Sequence, residues 1–476
     1  MGRAVLAWAP ILLAAVLYSR TFSPWVLPGD SAELVTAAVT LGVCHPTGYP
    51  LYLVVAKVAT LCLFPLPPQV VINGLSTVCA LITLAVVVRS MQALGLGPIP
   101  SACSVSLLAV APSLWRYSTH AEVYTLHGLL MSLVLLVALH PHPRPGSRRL
   151  VAYLAGLSTG SHMTTVLAYP GLLLWLALRP RTPGERERPA DLAALAGSFL
   201  LGCTVLLLFF VMDRPDRLNV LQGMEVWRPD LHLDAPWRRF LYVVSASQFK
   251  AASGFLPGLL TWRFFGNAYR VLAGLFADSG LLLVLGCIGL CLPFSNQRDL
   301  DRPRRALLGA MMIVWPAYLA TYVRFFQPVF FLPVHIVLSI GTASLLHRVL
   351  RWRPTRMVAA LLLTSILGLR LRSEYHAMDV SRDSDFQLKT ARLLAHMEPE
   401  AVVFSTWTCT TMFWFHQWVG HVNPRVEVVN ALQHEWLVRA PAYRGRPLYF
   451  EKVPPGARPE DFAHFGWFYK LESARR

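Results

Sequence analysis

The strongest constraint on this chain is a succession of apolar runs separated by short segments rich in arginine. A helix needs about 20 apolar residues to cross the hydrocarbon core of a bilayer. Only 14% of the 476 residues are charged, whereas roughly a quarter are charged in soluble globular proteins. The sequence therefore predicts an all-α polytopic membrane protein with about 11 transmembrane helices. The expected spans are 4–19, 69–90, 99–115, 121–140, 150–161, 163–179, 191–212, 271–293, 305–324, 328–347 and 356–371.

The distribution of basic residues predicts the orientation of these spans. If the N-terminus is cytoplasmic, the loops that would also be cytoplasmic contain most of the arginine clusters, in agreement with the positive-inside rule. These clusters are Arg89, 144–149, 179–188, 298–305 and 348–356. The net charge of +17 is thus accounted for by topology. A nucleic-acid-binding protein would instead gather its basic residues on a hydrophilic face, so we expect no nucleic-acid partner.

Two structural units are expected. Residues 1–371 are expected to form a transmembrane domain, with a first external loop at 19–68 and a large external loop at 213–270. The tail, 372–476, mixes polar and apolar residues, and its alternating stretch 401–406 is typical of a β-strand. We therefore expect a small C-terminal α/β extracytoplasmic domain.

Residue usage also bears on the compartment. Only five of the 43 basic residues are lysine, which is typical of a GC-rich genome and favours a bacterial plasma membrane. The endoplasmic reticulum membrane is the alternative. Cys44 and Cys409 are the two cysteines expected in aqueous segments, and the sequence leaves open whether they pair.

The first external loop carries the densest group of ionisable residues. Asp30 and Glu33 lie three positions apart at the start of a predicted short helix, and a proline-rich turn follows from His45 to Pro50. One interpretation is a capping box that stabilises the helix start. The other is a functional site, because ionisable groups at membrane depth are costly and a carboxylate there can act as a general base.

Three further candidates each have a structural and a functional interpretation. Glu122 opens a predicted helix, where a carboxylate suits the helix dipole, or it faces the same cavity as Asp30 as a metal ligand or positioning group. His162 interrupts two apolar runs, where it packs between helices or lines that cavity. Lys250 lies in the large basic loop, where it binds a phosphate or remains solvated.

Three motifs together resemble a known family. They are Gly29-Asp30-Ser31-Ala32-Glu33-Leu34, His45-Pro46-Thr47-Gly48-Tyr49-Pro50-Leu51 and Ala121-Glu122-Val123-Tyr124-Thr125-Leu126. The first 180 or so residues resemble the GT-C class of membrane glycosyltransferases, and more narrowly the family of the endoplasmic-reticulum O-mannosyltransferase that acts on IPT domains of plexins, with its bacterial relatives. The Trp-Gly-Asp segment expected in the large external loop is absent; 218–227 stands there instead.

The resemblance implies an inverting glycosyltransferase that moves a hexose, with mannose expected, from a polyprenyl-phosphate donor. The acceptor would be a hydroxyl of a protein Ser/Thr or of an envelope glycan, outside the cytoplasm. Asp30 and Glu33 would be catalytic. The residues expected to contact substrate are His45, Tyr49, Glu122, Tyr124, His162 and Lys250.

The implied partners are the lipid bilayer, the polyprenyl-phosphate sugar and a protein or glycan acceptor. No cofactor is required by the motifs, although a divalent metal is compatible with the carboxylates. A transporter or lipid flippase is one alternative, but internal repeats are common in transporters and none is evident here. A non-catalytic membrane scaffold is another, and it would not require Asp30.

Overall fold

The computed structural model of the protein describes residues 6–141, 145–179, 188–221, 229–247, 262–294, 298–321, 328–351 and 353–472. Many helices begin at a proline, because its fixed φ suits the first turn and its missing N–H would have no partner there. The α-helices are Ala9–Arg20, Asp30–Thr40, Pro50–Cys62, Pro68–Ala93, Pro98–Ala109, Pro112–Tyr117, Tyr124–Leu139, Ser147–Thr159, Tyr169–Leu178, Pro189–Cys203, Phe209–Met212, Pro236–Val244, Trp262–Ser279, Leu281–Cys291, Arg298–Thr321, Leu332–Val349, Arg353–Met378, Asp385–Ala395, Trp407–Trp418 and Trp436–Arg439.

Helical segments long and apolar enough to cross a bilayer are present, as expected for a multi-pass membrane protein. Within the described ranges, Pro68–Ala93, Pro189–Met212 and Pro328–Val349 meet this test singly, and several shorter apolar helices accompany them. Leu12 in Ala9–Arg20 and Ile313 in Arg298–Thr321 are each 71% exposed, as lipid-facing side chains would be. The helical fold class is confirmed, whereas the number of spans stays a prediction.

Two expected single spans are interrupted. Residues 99–115 form two helices, because Pro112 begins a new one, Pro112–Tyr117. Residues 271–293 fall on two helices that meet at an angle of 102° on either side of Gly280, whose φ is +54°. The break turns Asp278 inward, where its Oδ1 accepts a hydrogen bond from the backbone N–H of Ser113 at 2.9 Å.

The C-terminal unit contains a five-stranded sheet. Its strands are β1 Val402–Ser405, β2 Glu427–Asn430, β3 Leu448–Phe450, β4 Phe462–Phe465 and β5 Phe468–Leu471. Their order is β2-β1-β3-β5-β4, with β1 parallel to β2 and β3 and the other pairs antiparallel. All four residues of β1 are buried, since one face packs in each of two small cores. The strand predicted at 401–406 is confirmed.

The helix Trp407–Trp418, here called the cover helix, joins this unit to the membrane helices. Cys409 and Phe413 pack in a core of the sheet, whereas Met412 and Phe415 belong to the large core of the membrane helices. The helix Arg353–Met378 continues past residue 371, so the boundary expected at 371/372 falls inside it. The cover helix and the first external loop meet where the ionisable residues cluster.

Candidate functional site

The helix Asp30–Thr40, here called the site helix, begins without a side-chain cap. Its N-cap is Gly29, with φ +86° and ψ −137°, and neither carboxylate of the first turn bonds to the free backbone N–H groups. The capping-box interpretation is therefore wrong. The half-buried Asp30 instead accepts a hydrogen bond from Trp407 Nε1 at Oδ1, over 2.8 Å.

Glu33 and His45 form a buried pair. Oε1 of Glu33 accepts from the backbone N–H of His45 at 2.6 Å, and its Oε2 lies 2.5 Å from His45 Nδ1. Burial opposes the charged form of His45, but the carboxylates of Glu33 and Asp30 outweigh it and raise the pKa of His45 to about 9. Burial raises the pKa of Glu33, and the adjacent imidazole acts against that shift. We assign an imidazolium and a carboxylate to this pair at neutral pH.

The turn from His45 to Pro50 is held in a strained shape. Gly48 has φ +79°, and a Cβ atom there would lie 2.7 Å from Cγ1 of Val243. Tyr49 has φ +48°, a region that non-glycine residues seldom occupy. The turn brings the hydroxyl of Tyr49 to 2.9 Å from His45 Nε2, which donates to it when the ring is protonated. Both nitrogens of His45 therefore have partners.

His162 extends this group through ring contacts. Its ring stacks on Tyr49 with centroids 5.7 Å apart and tilts against Tyr124 at 5.4 Å. Burial, aided by the charge of His45, lowers the pKa of His162 to about 3. The neutral ring accepts at Nδ1 from the backbone N–H of Thr164 at 3.3 Å, so it also caps the short helix that follows. Contacts therefore support both the structural and the functional interpretation of His162.

Glu122 lies in the segment before the helix Tyr124–Leu139, held there by a hydrogen bond of 3.2 Å from its backbone N–H to Ser76 Oγ. Its carboxylate is 3.8 Å from Nε2 of His120. Burial, reinforced by the charge of Asp30, raises the pKa of Glu122 well above its ordinary value. The shift favours the protonated carboxyl of Glu122, which can donate a hydrogen bond and suits a polar substrate group better than a metal.

One group of side chains has the donor types of a divalent-cation site. One ligand atom from each of Asp30, Glu33 and His45 lies within 4.8 Å of the others. However, Glu33 and His45 are bonded to each other in this arrangement, and a cation would have to displace that bond. The geometry as it stands therefore does not fit a bound metal.

The structure thus brings six predicted residues and the catalytic candidate Asp30 into one cluster. The six are Glu33, His45, Tyr49, Glu122, Tyr124 and His162. Lys250 lies outside the described residues. Arg239 of the large external loop forms an ion pair with Asp213 at 2.8 Å, so that cation is engaged within its own loop.

Sequence reasoning missed the contribution of the cover helix. Besides the bond from Trp407 to Asp30, the indole ring of Trp407 meets the ring of His45 edge-on at 5.8 Å and 90°. Thr411 Oγ1 accepts from the backbone N–H of Gly29 at 3.2 Å. Trp407 is 377 positions away from Asp30, and no local pattern could have indicated the contact.

Part of the chain matches a known protein family. Residues 30–184 match the family model of the protein O-mannosyl-transferase TMEM260 N-terminal domain. The mouse protein O-mannosyl-transferase TMEM260 is 26% identical over 172 residues, which are 35% of this chain and 24% of the mouse protein. The match thus spans about a quarter of the length of that relative.

Two solved structures share the fold over most of the chain. ArnT from Cupriavidus metallidurans, solved with undecaprenyl phosphate, has a TM-score of 0.56 at 14% identity, covering 99% of this chain and 98% of that one. The apo oligosaccharyltransferase of Archaeoglobus fulgidus has a TM-score of 0.57 at 13% identity, covering 93% and 69%. The resemblance inferred from the motifs is therefore confirmed: the chain shares the fold of these two structures over most of its length, and residues 30–184 match the model of the TMEM260 protein O-mannosyl-transferase N-terminal domain.

Proposed function

We propose that this chain is an inverting membrane glycosyltransferase that moves a hexose from a polyprenyl-phosphate donor to a hydroxyl acceptor outside the cytoplasm. The observation that carries the proposal is the placement of Asp30. Its carboxylate does not cap the site helix. It lies where the first external loop meets the C-terminal unit, beside a buried cluster of polar groups. The family and fold matches support this class of reaction.

Asp30 is the proposed general base. Trp407 holds Oδ1, and within the described part of the chain Oδ2 has no hydrogen-bond partner. Oδ2 would accept the proton of the acceptor hydroxyl while its oxygen bonds to the anomeric carbon. The bond from that carbon to the phosphate oxygen breaks on the opposite face, which inverts the anomeric centre and releases polyprenyl phosphate.

The neighbouring residues supply charge and hydrogen bonds. The imidazolium of His45, fixed by Glu33 and Tyr49, carries a positive charge that would stabilise the leaving phosphate as its negative charge develops. Protonated Glu122 would donate to a hydroxyl of the substrate, and Tyr124 and His162 would complete the wall around it. Lys250 remains a proposed phosphate contact from the large loop.

The donor follows from chemistry and from the fold neighbours. A lipid-linked sugar is anchored in the bilayer, so a site at the membrane surface can bind it while the acceptor arrives from the aqueous side. The neighbour ArnT was solved with undecaprenyl phosphate, which supports a polyprenyl-phosphate donor here. Mannose and a protein Ser/Thr acceptor are proposed from the TMEM260 match, with an envelope glycan as the other acceptor. We place the enzyme in a bacterial plasma membrane, with the endoplasmic reticulum as the alternative.

The test uses the full chain reconstituted in lipid nanodiscs with radiolabelled polyprenyl-phosphate mannose and a panel of Ser/Thr peptides and glycans. The Asp30→Asn variant should lose transfer by roughly a hundred-fold or more, the usual contribution of a general base. Asp234→Asn is the matched control, because this carboxylate is 70% exposed and forms an ion pair with nearby Arg238. Transfer by Asp30→Asn at the wild-type rate would refute the role of Asp30. Wild-type movement of the lipid donor across the bilayer without transfer would indicate a flippase instead.

A further inference from the structure

The cover helix presents one side chain to the proposed base. Trp407 is the first residue of that helix, separated from β1 by Thr406 alone, and its indole N–H donates to Asp30 Oδ1 over 2.8 Å. The same ring meets His45 edge-on at 5.8 Å. A single residue of the C-terminal unit thus contacts both the carboxylate and the cation of the proposed site.

Trp407 is itself held in place on the side of the C-terminal unit. The preceding residue, Thr406, donates from its backbone N–H and its hydroxyl to Glu451 Oε2, each over 2.7 Å. The ring of Trp414 packs edge-on against Trp407 at 5.9 Å. The start of the cover helix is therefore fixed to the sheet, because Glu451 directly follows β3.

A second set of contacts fixes the cover helix to the loop that carries Asp30. The backbone N–H of Gly29 donates to Thr411 Oγ1 at 3.2 Å, next to Asp30 itself. Earlier in the C-terminal unit, Gln387 Oε1 accepts from the backbone N–H of Val26 at 2.8 Å. The contacts on both sides of Trp407 leave little freedom for the geometry between its indole and the Asp30 carboxylate.

We infer that Trp407 is a positioning residue for Asp30, so that the C-terminal unit completes the active site; this inference rests on the proposed function. The indole N–H fixes the orientation of the carboxylate by binding Oδ1, and this directs Oδ2 toward the acceptor hydroxyl. A hydrogen bond to an ionised group is stronger than one between neutral groups, so its loss should lower the rate of sugar transfer. If Trp407 served only to hold the C-terminal unit against the membrane helices, the effect of a substitution would instead depend on how much of the ring area is lost.

Two substitutions separate the hydrogen bond from the ring. Trp407→Phe keeps an aromatic ring and loses the donor, whereas Trp407→Gln loses the ring and keeps an N–H donor on a side chain of similar reach. We expect kcat of Trp407→Phe to fall roughly ten- to hundred-fold, the range for one lost hydrogen bond to a charged group. The KM for the polyprenyl-phosphate mannose donor should change by less than about three-fold, and Trp407→Gln should retain more activity than Trp407→Phe.

A double-variant cycle tests whether Trp407 acts through Asp30. In the Asp30→Asn background, adding Trp407→Phe should cause no further loss of the residual rate. Trp467→Phe is the matched control, because Trp467 lies between β4 and β5 and is 39% exposed, and this variant should keep kcat near the wild-type value. Melting curves of all variants in the same nanodiscs identify any variant that has failed to fold. If Trp407→Phe fails to fold, the kcat of Trp407→Gln is compared with that of wild type.

Several outcomes would overturn the inference. They are an unchanged kcat in Trp407→Phe, a Trp407→Gln variant slower than Trp407→Phe, or fully additive losses with Asp30→Asn. A wild-type protein that transfers no sugar from any tested donor would instead refute the proposed function itself. The two failures are therefore distinguishable.

Discussion

The charged pair of Glu33 and His45 makes a prediction about stability and pH. Glu33 is fully buried and His45 is 16% exposed, so solvent screens this pair weakly. The neighbouring carboxylates raise the pKa of His45 from 6.5 to about 9 in the folded protein. A group with a raised pKa stabilises the folded state below its unfolded pKa, and this contribution is lost as the pH rises through the folded pKa.

The magnitude follows from that shift. One pKa unit corresponds to about 1.36 kcal/mol, so His45 should contribute about 3 kcal/mol to the free energy of unfolding at pH 6. The contribution should decline between pH 6.5 and pH 9 and be absent at pH 10. The His45→Gln variant lacks the titrating group, so the difference in stability between wild type and this variant should shrink by about 3 kcal/mol over the range.

The assay is unfolding in mixed detergent micelles, followed by tryptophan fluorescence at pH 6, 7.5, 9 and 10. His464→Gln is the control, because His464 is exposed on a strand of the C-terminal sheet. Glu33→Gln should flatten the pH dependence as His45→Gln does, since it removes the carboxylate that holds the proton. A difference between wild type and His45→Gln that stays constant from pH 6 to pH 10 would show that Glu33 does not raise the pKa of His45.

Two further predictions concern the same cluster. Because burial raises the pKa of Glu122 and so favours its protonated form, Glu122→Gln should retain transfer within about three-fold of wild type, whereas Glu122→Ala, which has no hydrogen-bonding group, should lose about ten-fold or more. Equal losses in both variants, measured by kcat in the nanodisc assay, would indicate that the charge of Glu122 matters. Gly48→Ala should lower the melting temperature and the activity, because Gly48 has φ +79° and a Cβ would clash with Val243. Adding Val243→Ala should relieve the clash and restore part of both; a Gly48→Ala protein as stable as wild type would refute this account.

The sequence by itself determined the class of the protein and identified most of the residues on one side of its candidate site. Apolar runs and arginine-rich loops predicted helices in a membrane, because the bilayer imposes the same requirement on every span. The motifs around Asp30, His45 and Glu122 were found because their residues are close in the chain. The strand predicted at 401–406 was found for the same reason, since alternation along a strand is a local signal.

Tertiary structure decided which side chains meet. The sequence left Asp30 and Glu33 with both a capping-box and a functional interpretation, and only packing showed that Glu33 bonds to His45 and that Asp30 bonds to Trp407. The break at Gly280 likewise interrupts an apolar run that the sequence predicted as one span. Local patterns record which faces are buried, but a contact between residues 377 positions apart depends on how the completed units pack against each other.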